Sequence, residues 1–550
     1  MSDAALAAPR AARRPPTVRR VVALVVGSLA VIAAAALVMH LIGFDGWDAP
    51  AHLYKIAALH HGSLLWDNEW YGGAYQLVSY GFVFYWLAQF INYTVLVVAS
   101  AAALPVLFYV YMRRVYEVTD ILPSAALAGV LAVYLGNGQD PFLFALALTF
   151  GGLVADACGR RLPAAVLIGV ACFANPVAVA VGAIFLAAQY LARPQRRSGL
   201  RRLALYLMPF FVARLVLSLF FWEASTYTYA GFEVLIYASF GAGGVALALV
   251  SDDPQRRAKA ILFGTFGAVA LAAAFLPANP MGGTFGRFFF VFGVPLFLTV
   301  RRVLMPRVAV VAVLVGVAVG QLIMPAGHFV SPAEGASTRP AFFASALAFA
   351  AIHYDADYRY HVVALSNHWE AYYFPLDGYA ITRGWYRQSD ALHNELLNQP
   401  TFSADQYVAW LREMGVRYVF LPHAPLDTSG PRETAILTTD PRFTEVYRDA
   451  DWTVYRLEGA QPIVVSQDGP GGAHVTAFDR ESIALTVSRP GTYLVKVSWS
   501  PYWRVASGEG TLTPGPDDYM VLHAPAAGAL DLRIVVTPDV LWDELVTRLG

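Results

Sequence analysis

The amino-acid sequence predicts a polytopic α-helical membrane protein of about eleven transmembrane helices with a carboxy-terminal extracytoplasmic α/β plus β-sandwich region. Three observations lead to this fold class. The chain is 57% hydrophobic and only 14% charged, whereas a soluble domain carries about a quarter charged residues. Apolar segments follow one another and are separated by short arginine clusters. After about residue 330 these segments stop, and charged residues, turns and short β-like runs replace them.

The apolar segments are predicted to be the helices of a transmembrane domain, 21–325. The first segment follows a basic stretch and is too long for the core of a signal peptide, so we expect an uncleaved transmembrane helix. Several later segments are shorter than the roughly 20 residues that a full span needs. The predicted helices are 21–43, 93–112, 122–136, 141–157, 162–175, 177–192, 203–221, 229–250, 260–276, 288–300 and 308–325.

The arginine clusters predict the orientation of these helices. Placing the clusters inside the cell follows the positive-inside rule and puts the amino-terminal tail, 1–20, in the cytoplasm. The long first loop, 44–78, and everything after about residue 326 then lie outside. Segment 79–92 is aromatic and too short to span, so it is predicted to lie in the headgroup region. Arginine far outnumbers lysine, which is typical of high-GC bacterial genomes, so we expect a multi-pass protein of a bacterial inner or plasma membrane.

The outside region is predicted to contain two domains. Residues 326–460 should form an α/β domain, because 404–415 has helical periodicity and both 416–421 and 452–459 have the character of strands. Residues 461–550 contain several runs of alternating apolar and polar residues, which favour a small antiparallel β-sandwich.

Charge and cysteine content argue against several kinds of function. The net charge is zero, which disfavours nucleic acid as the main partner. The two cysteines, Cys158 and Cys172, lie in apolar stretches and form neither a disulfide framework nor a zinc motif.

A lipid-linked saccharide transporter would predict an internal repeat and polar residues spread through the helices. Here we detect no repeat, and polar residues gather at the outer helix ends.

Several motifs resemble a known enzyme superfamily. They are DAPAH at 48–52, WDNEWYGGAY at 66–75, RGWYRQSD at 383–390 and AWLREMGVRYVFLP at 409–422. Together with many helices, a long first loop and an outside carboxy-terminal region, they resemble the GT-C glycosyltransferases. The nearest branch is the bacterial family called 6-pyruvoyl-tetrahydropterin synthase-related membrane proteins. SWSPYWRV at 498–505 resembles the carboxy-terminal region of YfhO-like membrane proteins.

The resemblance implies an inverting transfer of one sugar from a polyprenyl-phosphate donor to a cell-envelope glycan, lipid or protein. A phosphate leaves already ionised, so only the acceptor hydroxyl needs help, and a carboxylate can take its proton. GT-C enzymes carry this carboxylate on the first outside loop, where the chain offers Asp45 and Asp48. The resemblance favours Asp48 as the base, with Asp45 second. Relatives differ in needing a divalent cation, so Mg or Mn is left open.

Asp48 also suits a purely structural role. It precedes Ala-Pro, a pattern typical of a helix N-cap with proline in the first turn. In such a helix Asp48, His52 and Lys55 share one face. His52 is therefore expected to position Asp48 or bind a sugar hydroxyl, and Lys55 to contact the substrate; a surface histidine without a task is the alternative. His60 and His61 match no metal-ligand spacing.

The WDNEWYGG stretch adds aromatic and acidic candidates. Trp66, Trp70 and Tyr71 are predicted either to stack on a sugar or to anchor the loop at the membrane interface. Asp67 and Glu69 are weaker catalytic candidates.

Arginines outside the predicted cytoplasmic clusters are candidates for binding substrate. Arg287 lies near the outer end of a predicted helix, against the positive-inside trend, and is expected to hold the lipid phosphate through charge-assisted hydrogen bonds. Snorkelling to headgroups is the alternative. Arg383, Trp385 and Arg387 either grip a glycan or phosphate or dock the outside domain onto the membrane domain.

Two other functions compete with sugar transfer. One is the lipid-linked saccharide transporter considered above. The other is a non-catalytic membrane scaffold whose sandwich binds envelope polymer, and it predicts that Asp48 can be replaced without loss. The expected partners of the enzyme are its polyprenyl-phosphate donor, its envelope acceptor and membrane lipids.

Overall fold

A computed structural model describes residues 18–73, 81–193, 197–221, 226, 231–275, 282–327 and 335–549. Its amino-terminal part is built from apolar helices, and its carboxy-terminal part contains three four-stranded sheets. The structure is therefore mostly helical with a carboxy-terminal sheet region, as the composition predicts.

Each of the eleven predicted membrane segments coincides with a helix, and two short helices occupy the stretch after the first one. By length and apolar composition alone, five helices in the described ranges could cross a membrane: α1, α4, α6, α9 and α10. The helices are α1 Val18–Ile42, α2 Ala49–His60, α3 Phe82–Ala88, α4 Tyr93–Tyr116, α5 Leu122–Tyr134, α6 Asp140–Ala157, α7 Arg161–Ala174, α8 Pro176–Ala192, α9 Arg197–Phe220, α10 Gly231–Leu249, α11 Arg256–Ala273, α12 Arg287–Phe297 and α13 Arg307–Gly327. Helix α3 falls in the segment predicted to lie in the headgroup region, of which residues 79 and 80 lie outside the described residues.

Aromatic packing holds three of these helices together. The rings of Phe150 on α6, Phe185 on α8 and Phe292 on α12 lie with their centroids 5.1–5.2 Å apart. Such pairs stabilise a core by about 0.5–1.5 kcal/mol beyond the area that they bury. This packing fixes α6 relative to α12, whose first residues are Asp140 and Arg287.

A mixed sheet follows the helices. Its strand order is β1-β2-β4-β3, with β1 parallel to β2 and the other pairs antiparallel. The predicted helix 404–415 and strands 416–421 and 452–459 coincide with α18, β2 and β4. The elements of this region are α14 Pro340–Ile352, β1 Arg359–Val362, α15 Glu370–Leu376, α16 Arg387–His393, α17 Glu395–Asn398, α18 Ala404–Glu413, β2 Val416–Pro422, α19 Gly430–Thr439, β3 Phe443–Arg448 and β4 Trp452–Leu457.

Two antiparallel sheets and a last helix end the described chain. Their strand orders are β10-β11-β8-β5 and β6-β7-β12-β9. Leu485 and Leu530 from one sheet share a buried apolar core with Val495 and Leu522 from the other, so the sheets form a sandwich. The elements are β5 Val464–Ser466, β6 Ala473–Asp479, β7 Ser482–Val487, β8 Gly491–Ser498, β9 Trp503–Ser507, β10 Thr511–Pro514, β11 Tyr519–Ala524, β12 Gly528–Ile534 and α20 Pro538–Leu549.

Hydrogen bonds from the sandwich hold the chain segment that follows α2. The Glu481 carboxylate accepts hydrogen bonds from the backbone N–H groups of Leu64 and Leu65, both at 2.8 Å. The Ser498 N–H donates to the Gly72 carbonyl at 3.1 Å. The first loop is thus held against the carboxy-terminal region, and this arrangement fixes the position of α2.

Candidate active site

Asp48 lies directly before α2, in the N-cap position. Its backbone has φ −89° and ψ 0°, and its carboxylate makes no capping hydrogen bond. The helix begins at Ala49, as predicted, but the interpretation of Asp48 as a cap alone is wrong. The side chain is half-buried, so its carboxylate can act on groups other than the helix end.

Two glycines fix the backbone at this position. Gly46 and Gly138 have φ of +103° and +64°, in the region that favours glycine. A Cβ on Gly138 would lie 2.6 Å from the Asp48 nitrogen, and a Cβ on Gly46 would lie 2.8 Å from the Gly138 Cα. The turn between α5 and α6 therefore touches the start of α2 at a distance that only glycine allows.

Asp48 is close to three groups from distant parts of the chain: Arg287, Trp385 and His368. Burial is the largest influence and raises the pKa of Asp48 to about 6, while these three groups lower it. The carboxylate is therefore mostly ionised at neutral pH and is a stronger base than an exposed aspartate.

Arg287 is the first residue of α12 and is half-buried. Its guanidinium lies 5.1 Å from the centre of the Phe142 ring, near the start of α6. The predicted cation is therefore held at the same end of the helices as Asp48.

His368 is part of this site although the sequence analysis did not identify it. Its φ is +56°, which is uncommon for a residue other than glycine. Its ring stacks on Trp385, with centroids 3.6 Å apart and an interplanar angle of 12°. Nδ1 lies 3.4 Å from Glu370 Oε1, and Nε2 lies 4.0 Å from Asp427 Oδ2. Its local sign in the sequence is the polar run SNHWE at 366–370, which follows the buried apolar residues 362–365.

The mixed sheet explains why His368 and Asp427 meet. His368 follows β1 and Asp427 follows β2, and these two strands are parallel. The carboxyl ends of parallel strands lie at one edge of a sheet, where open α/β sheets bind ligands. The site thus joins that edge to the helix ends that carry Asp48 and Arg287.

Two more carboxylates lie near Asp48. Asp140, the first residue of α6, accepts a hydrogen bond from the Tyr93 hydroxyl and is near enough to Asp48 and Asp45 to interact with both. Asp45 itself is exposed. The predicted alternative base is thus a neighbour of Asp48 that is open to solvent.

The carboxylates and histidines were also compared with the groupings that hold metal ions. Within the described ranges, no three His, Cys, Asp or Glu side chains are grouped so that they could hold an ion. His60 and His61 lie at the other end of α2, which at 1.5 Å per residue is about 18 Å from Asp48.

His52 and Lys55 face tyrosines. His52 Nδ1 lies 2.8 Å from the Tyr85 hydroxyl, and Lys55 Nζ lies 4.9 Å from the centre of the Tyr386 ring. Burial, with help from Lys55 and Arg287, lowers the pKa of His52 to about 3, so the imidazole is neutral. Its hydrogen bond joins it to Tyr85 of α3, so a direct bond that positions Asp48 is not seen in this part of the structure.

Trp66, Trp70 and Tyr71 are buried inside the protein. Trp66 packs edge-on against Trp503 of β9, with centroids 6.2 Å apart. Trp70 donates through Nε1 to the Ala371 carbonyl at 3.0 Å, and the Tyr71 hydroxyl accepts from the Tyr386 N–H at 2.9 Å. Neither sugar stacking nor membrane anchoring describes these positions, because the rings fill the contact between the first loop and the carboxy-terminal region.

Asp67 and Glu69 form a closed buried pair. The Tyr54 hydroxyl lies 2.9 Å from Asp67 Oδ1 and also 2.9 Å from Glu69 Oε2, and Arg480 Nε lies 2.8 Å from Glu69 Oε2. Burial raises the pKa of both carboxyl groups, and Arg480 opposes it. The tyrosine has a single proton, so the second contact needs a proton on a carboxyl group. One oxygen of each carboxyl group is thus contacted by protein groups, whereas Asp67 Oδ2 is buried without a hydrogen-bond partner among the described residues.

The RGWYRQSD motif joins the outside region to the first loop. Arg383 is buried and bonds Asp390 twice, Nε to Oδ1 at 2.9 Å and Nη2 to Oδ2 at 2.7 Å, which accounts for it without a ligand. Trp385 donates through Nε1 to the Trp47 carbonyl at 2.9 Å. Arg387 is exposed and lies 3.4 Å from Asp427. These contacts favour the docking interpretation of the motif.

Comparisons with known proteins give only loose structural likenesses. No family profile and no curated protein matches the chain. Among solved structures, ArnT from Cupriavidus metallidurans in the apo state is 16% identical, covering 78% of this chain and 98% of its own, with a TM-score of 0.38. The oligosaccharyltransferase AglB from Archaeoglobus fulgidus, in complex with an inhibitory peptide and a dolichol-phosphate, is 12% identical, covering 72% and 69%, with a TM-score of 0.36.

Proposed function

We propose that the chain is an integral-membrane glycosyltransferase of the GT-C type. It moves a sugar from a polyprenyl-phosphate donor to a cell-envelope glycan, lipid or protein, with inversion at the anomeric carbon. The observation that carries the proposal is the half-buried Asp48 carboxylate, which makes no capping bond and lies close to the Arg287 guanidinium. In the described part of the chain, five helices are long and apolar enough to cross a membrane, and a polyprenyl donor is anchored in a membrane.

Asp48 is the general base in this reaction. The acceptor oxygen attacks the anomeric carbon while the bond from that carbon to the phosphate oxygen breaks. The hydroxyl proton passes to Asp48, and the electron pair leaves with the phosphate. One direct displacement inverts the configuration, and general-base help of this kind contributes about 10²- to 10⁴-fold in rate.

Arg287 binds the phosphate of the donor. A guanidinium makes strong charge-assisted bonds to phosphate oxygens, and this one lies at the amino-terminal end of α12, where the helix dipole also favours an anion. Arg287 and Asp48 are close enough for their charges to interact. They are therefore suited to one reaction in which the phosphate leaves the anomeric carbon and the hydroxyl attacks it.

The proposed orientation puts the amino terminus in the cytoplasm and the site on the outer face of the cell membrane. It follows from the cytoplasmic placement of the arginine clusters. Donor and acceptor then meet at the outer helix ends, beneath the mixed sheet.

The test compares wild-type membranes with Asp48→Asn, using a panel of radiolabelled polyprenyl-phosphate sugars. Asparagine keeps the size of the side chain but cannot take a proton, so we expect transfer to be lost while the protein stays folded. Asp45→Asn, which changes an exposed neighbour, is the matched control and should retain transfer.

Two outcomes would contradict the proposal in different ways. Undiminished transfer by Asp48→Asn would reassign the base to Asp45 or Asp140. Failure of the wild type to use any donor in the panel would favour the scaffold or the transporter.

A further inference from the structure

A cleft lies at the edge of the mixed sheet opposite the edge that faces Asp48. The carboxyl ends of β1 and β2 lead to His368 and Asp427, whereas their amino ends begin beside this cleft. Strands of four and seven residues, at about 3.3 Å per residue, separate the two edges by roughly 13–23 Å. The cleft measures about 520 Å³, within the range of small-molecule sites.

Three segments contribute its walls: the loop after α14, strand β2 and strand β6 of the sandwich. Arg417 on β2 pairs with Asp355 in the loop, Nη1 to Oδ2 at 2.8 Å, and its guanidinium lies 3.7 Å from the centre of the Tyr358 ring. His474 on β6 lies with Nδ1 2.6 Å from Asp357 Oδ2. The cleft therefore lies where the α/β region and the sandwich meet, and its polar groups are held in fixed directions.

These polar groups remain accessible. Arg417 and Asp355 are each about one-third exposed, and the His474 side chain is 64% exposed. Exposed ion pairs add little to stability, so folding gives a weak reason for the arrangement. The pair uses Nη1 alone, which carries at most two of the five guanidinium N–H groups.

The combination suits a sugar ring. Sugar hydroxyls both donate and accept hydrogen bonds, and the cleft lining offers the guanidinium of Arg417, the carboxylate of Asp355 and two imidazoles. The C–H face of a pyranose or furanose packs on aromatic rings, and Tyr354, which lines the cleft, is 46% exposed. Preorganised groups lose less entropy when a ligand binds.

The charge of the cleft selects among saccharides. Among the lining residues, the Asp355 carboxylate is paired with the Arg417 guanidinium, Nη1 to Oδ2 at 2.8 Å. This balanced pair offers hydrogen bonds to a neutral sugar and no net attraction to an anionic one, so a neutral one is favoured. We infer that this cleft binds a short neutral oligosaccharide segment of an envelope glycan. The inference does not require sugar transfer at Asp48.

Binding is measured on the full-length chain in lipid nanodiscs, which avoids sugar-headed detergents. The protein is titrated in a calorimeter with tetrasaccharides of glucose, mannose, galactose and arabinose. An anionic tetramer of galacturonic acid is titrated in the same way. We expect at least one neutral tetramer to bind, and the anionic one to bind about tenfold more weakly or not at all. Absence of binding by all neutral tetramers at millimolar concentration would overturn the inference.

Variants locate the binding. Arg417→Ala should weaken binding about tenfold or more, because a charged hydrogen bond is lost. Arg448→Ala is the control, since Arg448 also pairs with an acid on an exposed surface, Glu445 at 2.6 Å, but lies on β3. Arg417→Lys keeps the charge without the planar fork and should also bind weakly, so it carries the test if the alanine variant is unstable.

Binding must also be separable from the site at Asp48. Asp48→Asn should bind the neutral tetramer as the wild type does, whether or not it transfers sugar. Wild-type affinity in both Arg417→Ala and Arg417→Lys, or loss of binding in Asp48→Asn, would place the saccharide elsewhere and overturn the inference. Failure of the transferase assay alone leaves this measurement unaffected.

Discussion

The two groups of acids at helix α2 differ in what surrounds them. Asp48 precedes the helix, is half-buried, makes no capping bond and lies near one cation, Arg287. Asp67 and Glu69 contact Tyr54 in the middle of the helix, and Arg480 of the sandwich closes the group. Burial raises the carboxyl pKa in both places.

A raised pKa therefore does not by itself mark a catalytic acid or base in this protein. The buried pair is enclosed by Tyr54 and by Arg480 of the sandwich, and these contacts hold the sandwich to the first loop. Asp48 has the perturbed pKa without that closure, and it lies where helix ends and the edge of the mixed sheet meet. The difference predicts that substitutions in the two groups will have opposite effects on activity and stability.

The largest expected effect separates the groups by activity. Asp48→Asn should lower the transfer rate by about 10²- to 10⁴-fold, because the proton acceptor is removed. Glu69→Gln, an equally conservative change in the closed pair, should keep most of the activity. Initial rates per folded protein measure both, and a comparable loss in both variants would contradict the distinction.

The next effect separates them by stability. Arg480→Met leaves two buried carboxyl groups without their cation and should cost about 3–5 kcal/mol. Thermal unfolding in nanodiscs checks this. Arg533→Met, on the same sandwich, removes an exposed pair with Asp531 at 2.6 Å and should change little. If both variants unfold alike, the closed pair does not hold the sandwich to the loop.

A glycine tests how exactly Asp48 must be placed. Gly138→Ala would put a Cβ 2.6 Å from the Asp48 nitrogen, and a displacement near 1 Å can cost about 10²-fold in rate. Gly62→Ala is the matched control, because Gly62 also has a positive φ, +85°, but its Cβ would meet open space. We expect Gly138→Ala to lose activity per folded protein and Gly62→Ala to keep it. Equal loss would mean that backbone strain alone is responsible.

The helices, including the start of α2 after Asp48, could be predicted because their signals are local. Apolar length and arginine clusters identify membrane segments without knowledge of neighbours, and Asp48 stands at a recognisable helix start in the first loop. The predicted strands also coincide with strands of the structure, whereas β1 has only four residues and gave no pattern.

The closed pair and His368 could not be predicted because they depend on contacts between distant parts of the chain. Glu69 meets Arg480, and Trp70 meets Ala371. An aromatic residue buried by such docking has the same local sequence as one that faces a sugar or the membrane, which explains the misplacement of Trp66 and Trp70.

A smaller effect is the pH dependence of transfer. Because the pKa of Asp48 is about 6, the base is protonated below that pH, and kcat/KM should fall about tenfold for each pH unit there and level off above it. Asp45→Asn should preserve this profile. A profile that stays flat down to the ordinary aspartate range would show that Asp48 is not the group that titrates.

The smallest effect is the pH dependence of stability, which belongs to the closed pair. Burial and the neighbouring Asp67 raise the pKa of Glu69 above its unfolded value. The stability that follows from binding this proton is fully present below the unfolded pKa and is lost as pH rises through the folded one. Wild type should therefore lose about 1 kcal/mol or more between roughly pH 5 and pH 8, and Glu69→Gln should flatten this part of the curve. Glu458→Gln, at an exposed glutamate, should leave the slope unchanged. An unchanged slope in Glu69→Gln would mean that the buried pair stays ionised and that Arg480 neutralises it, and the contrast with Asp48 would then rest on enclosure alone.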